Sequence, residues 1–233
     1  MTAMVAVYSC IRSANDGTLQ AIRETFGKRC PWPMYFFIGQ PGEMSLGGMT
    51  PAYLEDCKRW KFLGEDGSKG KQFLSSQPLG RGPLPDEIVL DCPDAYAALP
   101  WKKRGIARFQ AEHDFGHCLQ LSDDAYVFDW VKMERCGYEK HAYSGPKIDG
   151  VEDGNPYFSG GTGYWISLEA AKLLLEGPID SWAEDYWVGS VMAKAGTRPV
   201  ALPRYSPVKE LSCAKHGDSS SLAGEIRSLG AGQ

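Results

Sequence analysis

A sheet of strands joined by crossover helices, the α/β class, is the architecture this sequence predicts, and three features predict it. Short apolar runs of strand length alternate with longer stretches of helical periodicity. No internal repeat breaks the alternation. The 233 residues, 43% hydrophobic and 23% charged, suffice for one large domain or a tight pair of smaller ones.

The elements follow in order. Met4 to Ser9 is an apolar run and reads as the first strand. Asp16 and Thr18 offer caps for a helix running to about Phe26, where Gly27 supplies a stop. Met34 to Ile38 is unbroken in apolar character and ends at Gly39 and Pro41, as a strand buried on both faces should. From Gly39 to Pro85 the chain is rich in Gly, Pro, Ser and Lys, which predicts a surface excursion with one short helix from Pro51 to Trp60. Asp86 to Leu90 is the next strand. A helix follows from about Ala95 to His113, interrupted or restarted near Pro100 because proline has no N–H to donate. Cys118 to Leu121 is a short strand that delivers its end onto Ser122, Asp123 and Asp124. Gly163 to Ile166 forms a strand, Leu168 to Leu175 a helix, and Glu184 to Ala195 a further helix closed by Gly196. From Asp218 the chain is small and polar, which predicts a loosely held tail over 218–233.

Composition excludes several classes. A net charge of -4 argues against a surface built to neutralise a nucleic-acid backbone. Runs such as Met4 to Tyr8 fall far short of the roughly 20 apolar residues that span a bilayer, so no membrane span is expected in this chain. The opening MTAMVAVYSC lacks the charged segment and long apolar core of a secretory signal. Seven scattered cysteines, with no C-x-x-C pair, read as reduced and packed thiols. The chain is accordingly expected in the cytosol.

Three acidic or glycine-rich clusters could carry chemistry. Asp123 and Asp124 lie at the carboxyl end of a strand, where open α/β sheets bind ligands. Two hard oxygen donors there suit Mg²⁺ or Mn²⁺, although solvated strand-end turns carry such pairs too. SGGTGYWIS, Ser159 to Ser167, places Gly160, Gly161 and Gly163 where backbone must approach something closely, and equally fits a tight turn before a strand. Glu184 and Asp185 begin a helix among Trp182, Tyr186 and Trp187. The helix dipole alone would favour acids there, whereas a desolvated carboxylate would serve as a general base. Adjacent helical residues point about 100° apart, so only one of the two is expected to face a small site. His113 and His117 read as structural, and His216 alone as a surface residue.

The order of these segments resembles the β-1,3-galactosyltransferase, core-1 and fringe-like glycosyltransferases of family 31. AIRETFG (Ala21 to Gly27), FFIG (Phe36 to Gly39), DAYAALPWK (Asp94 to Lys102), LSDDAYV (Leu121 to Val127), SGGTGYWIS and EDYWVG (Glu184 to Gly189) are similar to that family's motifs, in its order. The resemblance implies a GT-A fold, a Rossmann-like mixed sheet flanked by helices, with a nucleotide-sugar-binding half over about 1–125 and an acceptor-binding half over 126–217. It implies inverting transfer of a sugar from a UDP-sugar to a glycan or glycoconjugate hydroxyl, with Mn²⁺ or Mg²⁺ as cofactor. Asp124 would ligate the ion, with His216 as a second ligand. Asp123 would orient the donor sugar, Lys102 would lie near the nucleotide, and Tyr8, Ser9, Arg12, Arg23, Ser122, Gly160 and Gly161 would complete the donor site. Asp185 would be the base, and Glu184 a cap or positioning group beside it. Ser122 departs from the family, standing where its first Asp usually is, and leaves open a non-catalytic carbohydrate- or nucleotide-sugar-binding relative. The absence of a membrane anchor points to a compact microbial, algal or viral member.

Overall fold

The computed structural model describes residues 2–75, 78–148, 150–152, 154–203, 205, 208–211 and 219–232, and every count below is of these residues. Strand β1 (Ala3–Tyr8) is buried along its whole length, because it lies inside a sheet covered on both faces. It pairs in parallel with β2 (Met34–Gln40) on one side and β4 (His117–Ser122) on the other. Beyond β2 lies β3 (Glu87–Pro93), also parallel. Beyond β4 lies β9 (Tyr164–Ser167), antiparallel to it, followed by β6 (Tyr143–Gly145) and β10 (Val200–Ala201). The result is a mixed seven-stranded sheet of order β10-β6-β9-β4-β1-β2-β3, and its flanking helices complete the expected α/β architecture. It draws strands from both sides of residue 125 and is continuous across that point. Two small ribbons join it, β7 (Gly150–Glu152) with β8 (Asn155–Tyr157) and β5 (Ala125–Val127) with β11 (Val208–Glu210).

The pleat of β1 divides the core. Val5 and Val7 face a layer containing α1 (Ile11–Asn15), α2 (Thr18–Glu24) and α5 (Trp130–Glu134), whereas Met4, Ala6 and Tyr8 face Ile106 of α4 (Leu99–Glu112). A third apolar cluster packs α3 (Pro51–Arg59), α6 (Leu168–Glu176) and α7 (Glu184–Lys194) around Tyr53, Leu174 and Trp187. Pro100 falls in the first turn of α4, where a missing N–H costs nothing, so the break expected there is a helix start preceded by a short 3₁₀ turn. His113 stacks on Phe109 and His117 opens β4, both in structural settings.

The predicted loose tail is corrected. Residues Ser219–Ala231 form α8, and its Leu222, Ala223 and Ile226 are buried in the α1/α2 layer. Spacing of Leu222, Ile226 and Leu229 at helical intervals supplies the stripe that a reading weighted by small polar residues overlooks. Burying each large apolar side chain contributes about 1.5–3 kcal/mol, enough to hold a helix of otherwise modest propensity. Four of the six described cysteines are buried, and Cys213 lies outside the described residues. No helix is long and apolar enough to cross a membrane among the described residues.

Candidate active site

A cavity of ≈ 550 Å³ opens at the carboxyl ends of the parallel strands. After β1 the chain passes to β2 on one side, while β4 takes up the other, so the crevice between β1 and β4 is the topological switch point of the sheet. Tyr8 pairs with Ser122 at its edge, and the Ser9 hydroxyl donates to Asp123 Oδ2 across it at 2.6 Å. Beneath, Lys102 Nζ of α4 donates to the Ser9 carbonyl and to Asp94 Oδ1, each at 2.6 Å. Asp94 also accepts from the backbone N–H of Ile11 at 2.7 Å and of Gly39 at 3.1 Å. The Lys102–Asp94 pair is almost wholly buried and ties together the ends of β1, β2 and β3. Breaking such a pair by removing one partner costs about 3–5 kcal/mol. Lys102 lines the cavity, but its ammonium is a strut under it.

The glycine turn closes another side. Ser159 accepts from Gly161 N–H and starts a 3₁₀ turn over Gly160–Thr162, ahead of Gly163 at φ 71°. A Cβ at Gly160 would stand 2.5 Å from the Tyr8 hydroxyl and 2.6 Å from Glu184 Oε1, so glycine lets these three segments meet without displacing either side-chain tip. Gly163 allows the turn to lie against the backbone of Gln120. Both expectations for this stretch therefore hold, a tight turn and a close approach.

Glu184 and Asp185 occupy the first turn of α7, and both line the cavity. The expectation that only one could face it is corrected. Helical side chains lean toward the amino end, so neighbours on the first turn can both border a site lying off that end.

Electrostatics at the site run against ionised carboxylates. Burial, then the neighbouring Asp185, pushes Glu184 up to about 7, and burial also raises Asp185. Asp123 is raised by burial despite the hydrogen bond from Ser9. The opposing cation is Lys103, 0% exposed, with no hydrogen-bond partner for Nζ among the described residues. Its ammonium lies 3.4 Å from the Tyr8 ring centroid and 4.8 Å from that of Tyr164, between two aromatic faces. Burial pulls it down to about 8, with Glu184 and Asp185 acting in the other direction.

Hard oxygen donors crowded in a desolvated, carboxylate-rich cavity fit a divalent cation. Among the described residues no three His, Cys, Asp or Glu side chains gather as a ready cage. Asp123 and Asp124 are the carboxylates placed to offer oxygen donors to such an ion.

Most residues expected at the site meet there: Tyr8, Ser9, Arg12, Lys102, Ser122, Asp123, Asp124, Gly160, Gly161, Glu184 and Asp185 all line the cavity. Arg23 does not. It is held at the amino end of β3, with Nε 2.7 Å from Asp86 Oδ2 and Nη2 2.8 Å from Glu87 Oε1, and it covers the Phe36 ring. A helix ending in AIRETFG runs back toward the amino edge of the sheet, which carries its arginine away from the strand carboxyl ends. His216 lies outside the described residues. Asp94, Tyr96 and Lys103 were not singled out from sequence. Lys103 could have been found from its register, since Leu99, Ile106 and Ala107 at helical spacing put it on the inner face of α4.

No family model matches the chain, and no curated protein matches it in sequence. Among solved structures it is similar to a candidate nucleotide-diphospho-sugar transferase from Desulfovibrio desulfuricans G20, at 10% identity and TM-score 0.48, over 98% of this chain and 97% of that one. It is also similar to 4-diphosphocytidyl-2C-methyl-D-erythritol synthase, at 11% identity and TM-score 0.45, over 98% and 99% of the two chains. A cytidylyltransferase from Leptospira borgpetersenii serovar Hardjo-bovis (strain JB197) follows at 9% identity and TM-score 0.44, over 100% and 98%. These are likenesses in the course of the chain, and the chemistry of the site rests on its own residues.

Proposed function

We propose that the protein is a metal-dependent, inverting glycosyltransferase of the family-31 type, moving a sugar from a UDP-sugar to a hydroxyl of a glycan or glycoconjugate. The observation that carries this reading is that two acidic pairs from separate elements, Asp123–Asp124 after β4 and Glu184–Asp185 on α7, line one cavity. The order of the six motif-like segments, four of which lie outside these pairs, also supports it.

In this reading Asp124 holds the cation, with His216 as a second ligand. The described chain returns to Asp124 shortly before His216, where the Leu211 N–H donates to the Asp124 carbonyl at 2.7 Å. A bound Mn²⁺ or Mg²⁺ supplies Lewis-acid stabilisation of the charge that builds on a departing diphosphate. Asp123, fixed by Ser9, orients the donor sugar. Asp185 takes the proton of the acceptor hydroxyl as that oxygen bonds to the anomeric carbon. The bond from that carbon to the UDP oxygen breaks, and UDP leaves with the electron pair. A single displacement inverts the centre. Burial keeps Asp185 basic, and Glu184, more deeply buried and raised further by Asp185, is balanced by Lys103.

Nucleotidyl transfer would use the same kind of cavity, but its acceptor is a phosphate that is already anionic and has no proton to give up. A second acidic pair with raised pKa values suits the deprotonation of a hydroxyl acceptor, which nucleotidyl transfer to a phosphate does not need. Incubating the protein with a panel of UDP-sugars and Mn²⁺ tests the reading: slow release of UDP and free sugar is expected, and Asp124→Ala abolishes it. Release of pyrophosphate from CTP or UTP with a sugar phosphate, and no UDP from any UDP-sugar, would assign nucleotidyl transfer instead.

A further inference from the structure

Beside the main cavity lies a second one of ≈ 500 Å³, bordered by Asp56, Arg59, Trp60, Ser181, Ala183 and Tyr186. Ala183 borders both cavities, and Tyr186 follows Asp185 on the same turn of α7. The wall between them is therefore the segment that carries the base of the proposed reaction. Above this wall runs a bridge of aromatic rings. Trp182 sits 5.6 Å from Tyr96, 4.6 Å from Phe62 and 5.6 Å from Trp60, centroid to centroid. Tyr96 and Trp182 line the main cavity and Trp60 the second, so the bridge is continuous from one to the other. Large aromatics at a surface are normally turned inward, yet Tyr96 is 54% and Trp60 51% exposed.

The bridge is held in place by polar groups. Asp56 Oδ2 accepts from the Ser181 hydroxyl at 2.7 Å and from the backbone N–H of Trp182 at 3.2 Å, and the Thr50 hydroxyl donates to the Ile179 carbonyl at 2.7 Å. These bonds fasten the loop before α7 to α3 and hold the backbone at Trp182, whose ring packs against Phe62, Tyr96 and Trp60. The second cavity thus combines exposed aromatic faces with carboxylate, guanidinium and hydroxyl groups. That combination suits a ligand with apolar C–H faces and a rim of hydroxyls, which is the chemistry of a sugar ring.

We propose that the second cavity and the aromatic bridge form an acceptor subsite, and that the acceptor is a saccharide chain of at least two units. This rests on the transferase reading above and adds the acceptor class to it. With the donor in the main cavity, a hydroxyl that reaches Asp185 over the Ala183 wall leaves the unit behind it on Trp182 and Trp60.

Saturation-transfer NMR and calorimetry with cellobiose, lactose and N,N′-diacetylchitobiose, each against its own monosaccharides and in the presence of UDP and Mn²⁺, test the assignment. At least one disaccharide is expected to bind about tenfold tighter than its monosaccharide, the scale of one added aromatic contact. Trp60→Ala removes that advantage and Trp60→Phe retains most of it. Trp60 is half exposed, and equal melting temperatures of variant and original exclude unfolding as the cause. A panel with no disaccharide preference, or a preference that survives Trp60→Ala, overturns the subsite. The UDP titration of the unaltered protein separates the two readings: UDP binding without disaccharide preference removes only the subsite, whereas absence of UDP binding removes the transferase reading with it.

Discussion

Replacing Lys103 by methionine should move the acid limb of the pH–activity profile upward. The ammonium lies 3.4 Å from the Tyr8 ring centroid, and the Tyr8 hydroxyl and Glu184 Oε1 both fall within 2.6 Å of the point a Gly160 Cβ would occupy. Adding the length of a phenol ring, the cation and the Glu184 carboxylate are at most about 11 Å apart, and at an effective dielectric of about 20 their attraction is then at least about 1.5 kcal/mol. Divided by 1.36 kcal/mol per unit, that is about one pH unit. Loss of the cation raises the carboxylates' affinity for protons, so the pH at which the base becomes active rises by about one unit or more. The fold should tolerate the change. A methionine fills the slot, and the lost cation–π contact of about 2 kcal/mol is set against the removal of a buried charge whose desolvation costs several. The assay is kcat/KM for UDP-sugar turnover between pH 5 and 9, which reports the acidic groups of the free enzyme as a pair. An acid limb that stays where it was in a folded Lys103→Met variant would refute the electrostatic role given to this lysine.

Asp185→Asn should lower transfer by roughly 10² to 10⁴ with UDP and metal affinity within a few-fold of the original, and Glu184→Gln should cost less; the reverse order in matched turnover assays would exchange their roles. Glu184→Gln should also change stability with pH. The fold holds this proton more tightly than the unfolded chain, at about 7 against 4.5, so stability falls as pH rises between those values and is level outside them. Urea midpoints across that window should show a shallower fall in the variant. Ser9→Ala strips the 2.6 Å bond from Asp123 and should cost about 1–3 kcal/mol in urea unfolding, because a buried acceptor loses its donor. Ile226→Ala, at a position 0% exposed on α8, should cost about 2–5 kcal/mol, whereas a loosely held tail would register no change.

The sheet was legible where the chain runs through the interior. Met4 to Tyr8 and Met34 to Ile38 are apolar on both faces, and only a covered parallel strand needs that. Strands of three residues such as Tyr143–Gly145 and Ala125–Val127 escaped, since so few positions carry no period and their pairing depends on partners far along the chain. Both acidic pairs were legible because each is a doublet at an element boundary. Their shared use of one cavity came only from the family resemblance, because no local pattern shows how the first turn of α7 meets the Gly160 turn in space. Lys103 was hidden by its twin, Lys102. Two adjacent lysines look alike as letters, yet one is tied to Asp94 and the other is enclosed by Tyr8 and Tyr164.

The pairing of β5 with β11 bears on when the site can come into being. β5 follows Asp124 immediately, and its partner is Val208–Glu210, so the backbone around the proposed metal carboxylate is completed by residues made some eighty positions later. α8 then covers α2 from still further along. During synthesis β1, β2, β3 and β4 can associate early, in keeping with the tendency of emerging chain to fold as it appears. The Asp124 segment keeps an unpaired edge until residues 208–231 clear the ribosome. A nascent chain halted before that point would hold the strands of the seven-stranded sheet with an exposed strand edge beside them, a species open to aggregation and proteolysis. Maturation of the site is therefore a late event in the life of each molecule, and changes in residues 208–231 should lower the yield of folded protein out of proportion to their distance from the cavity.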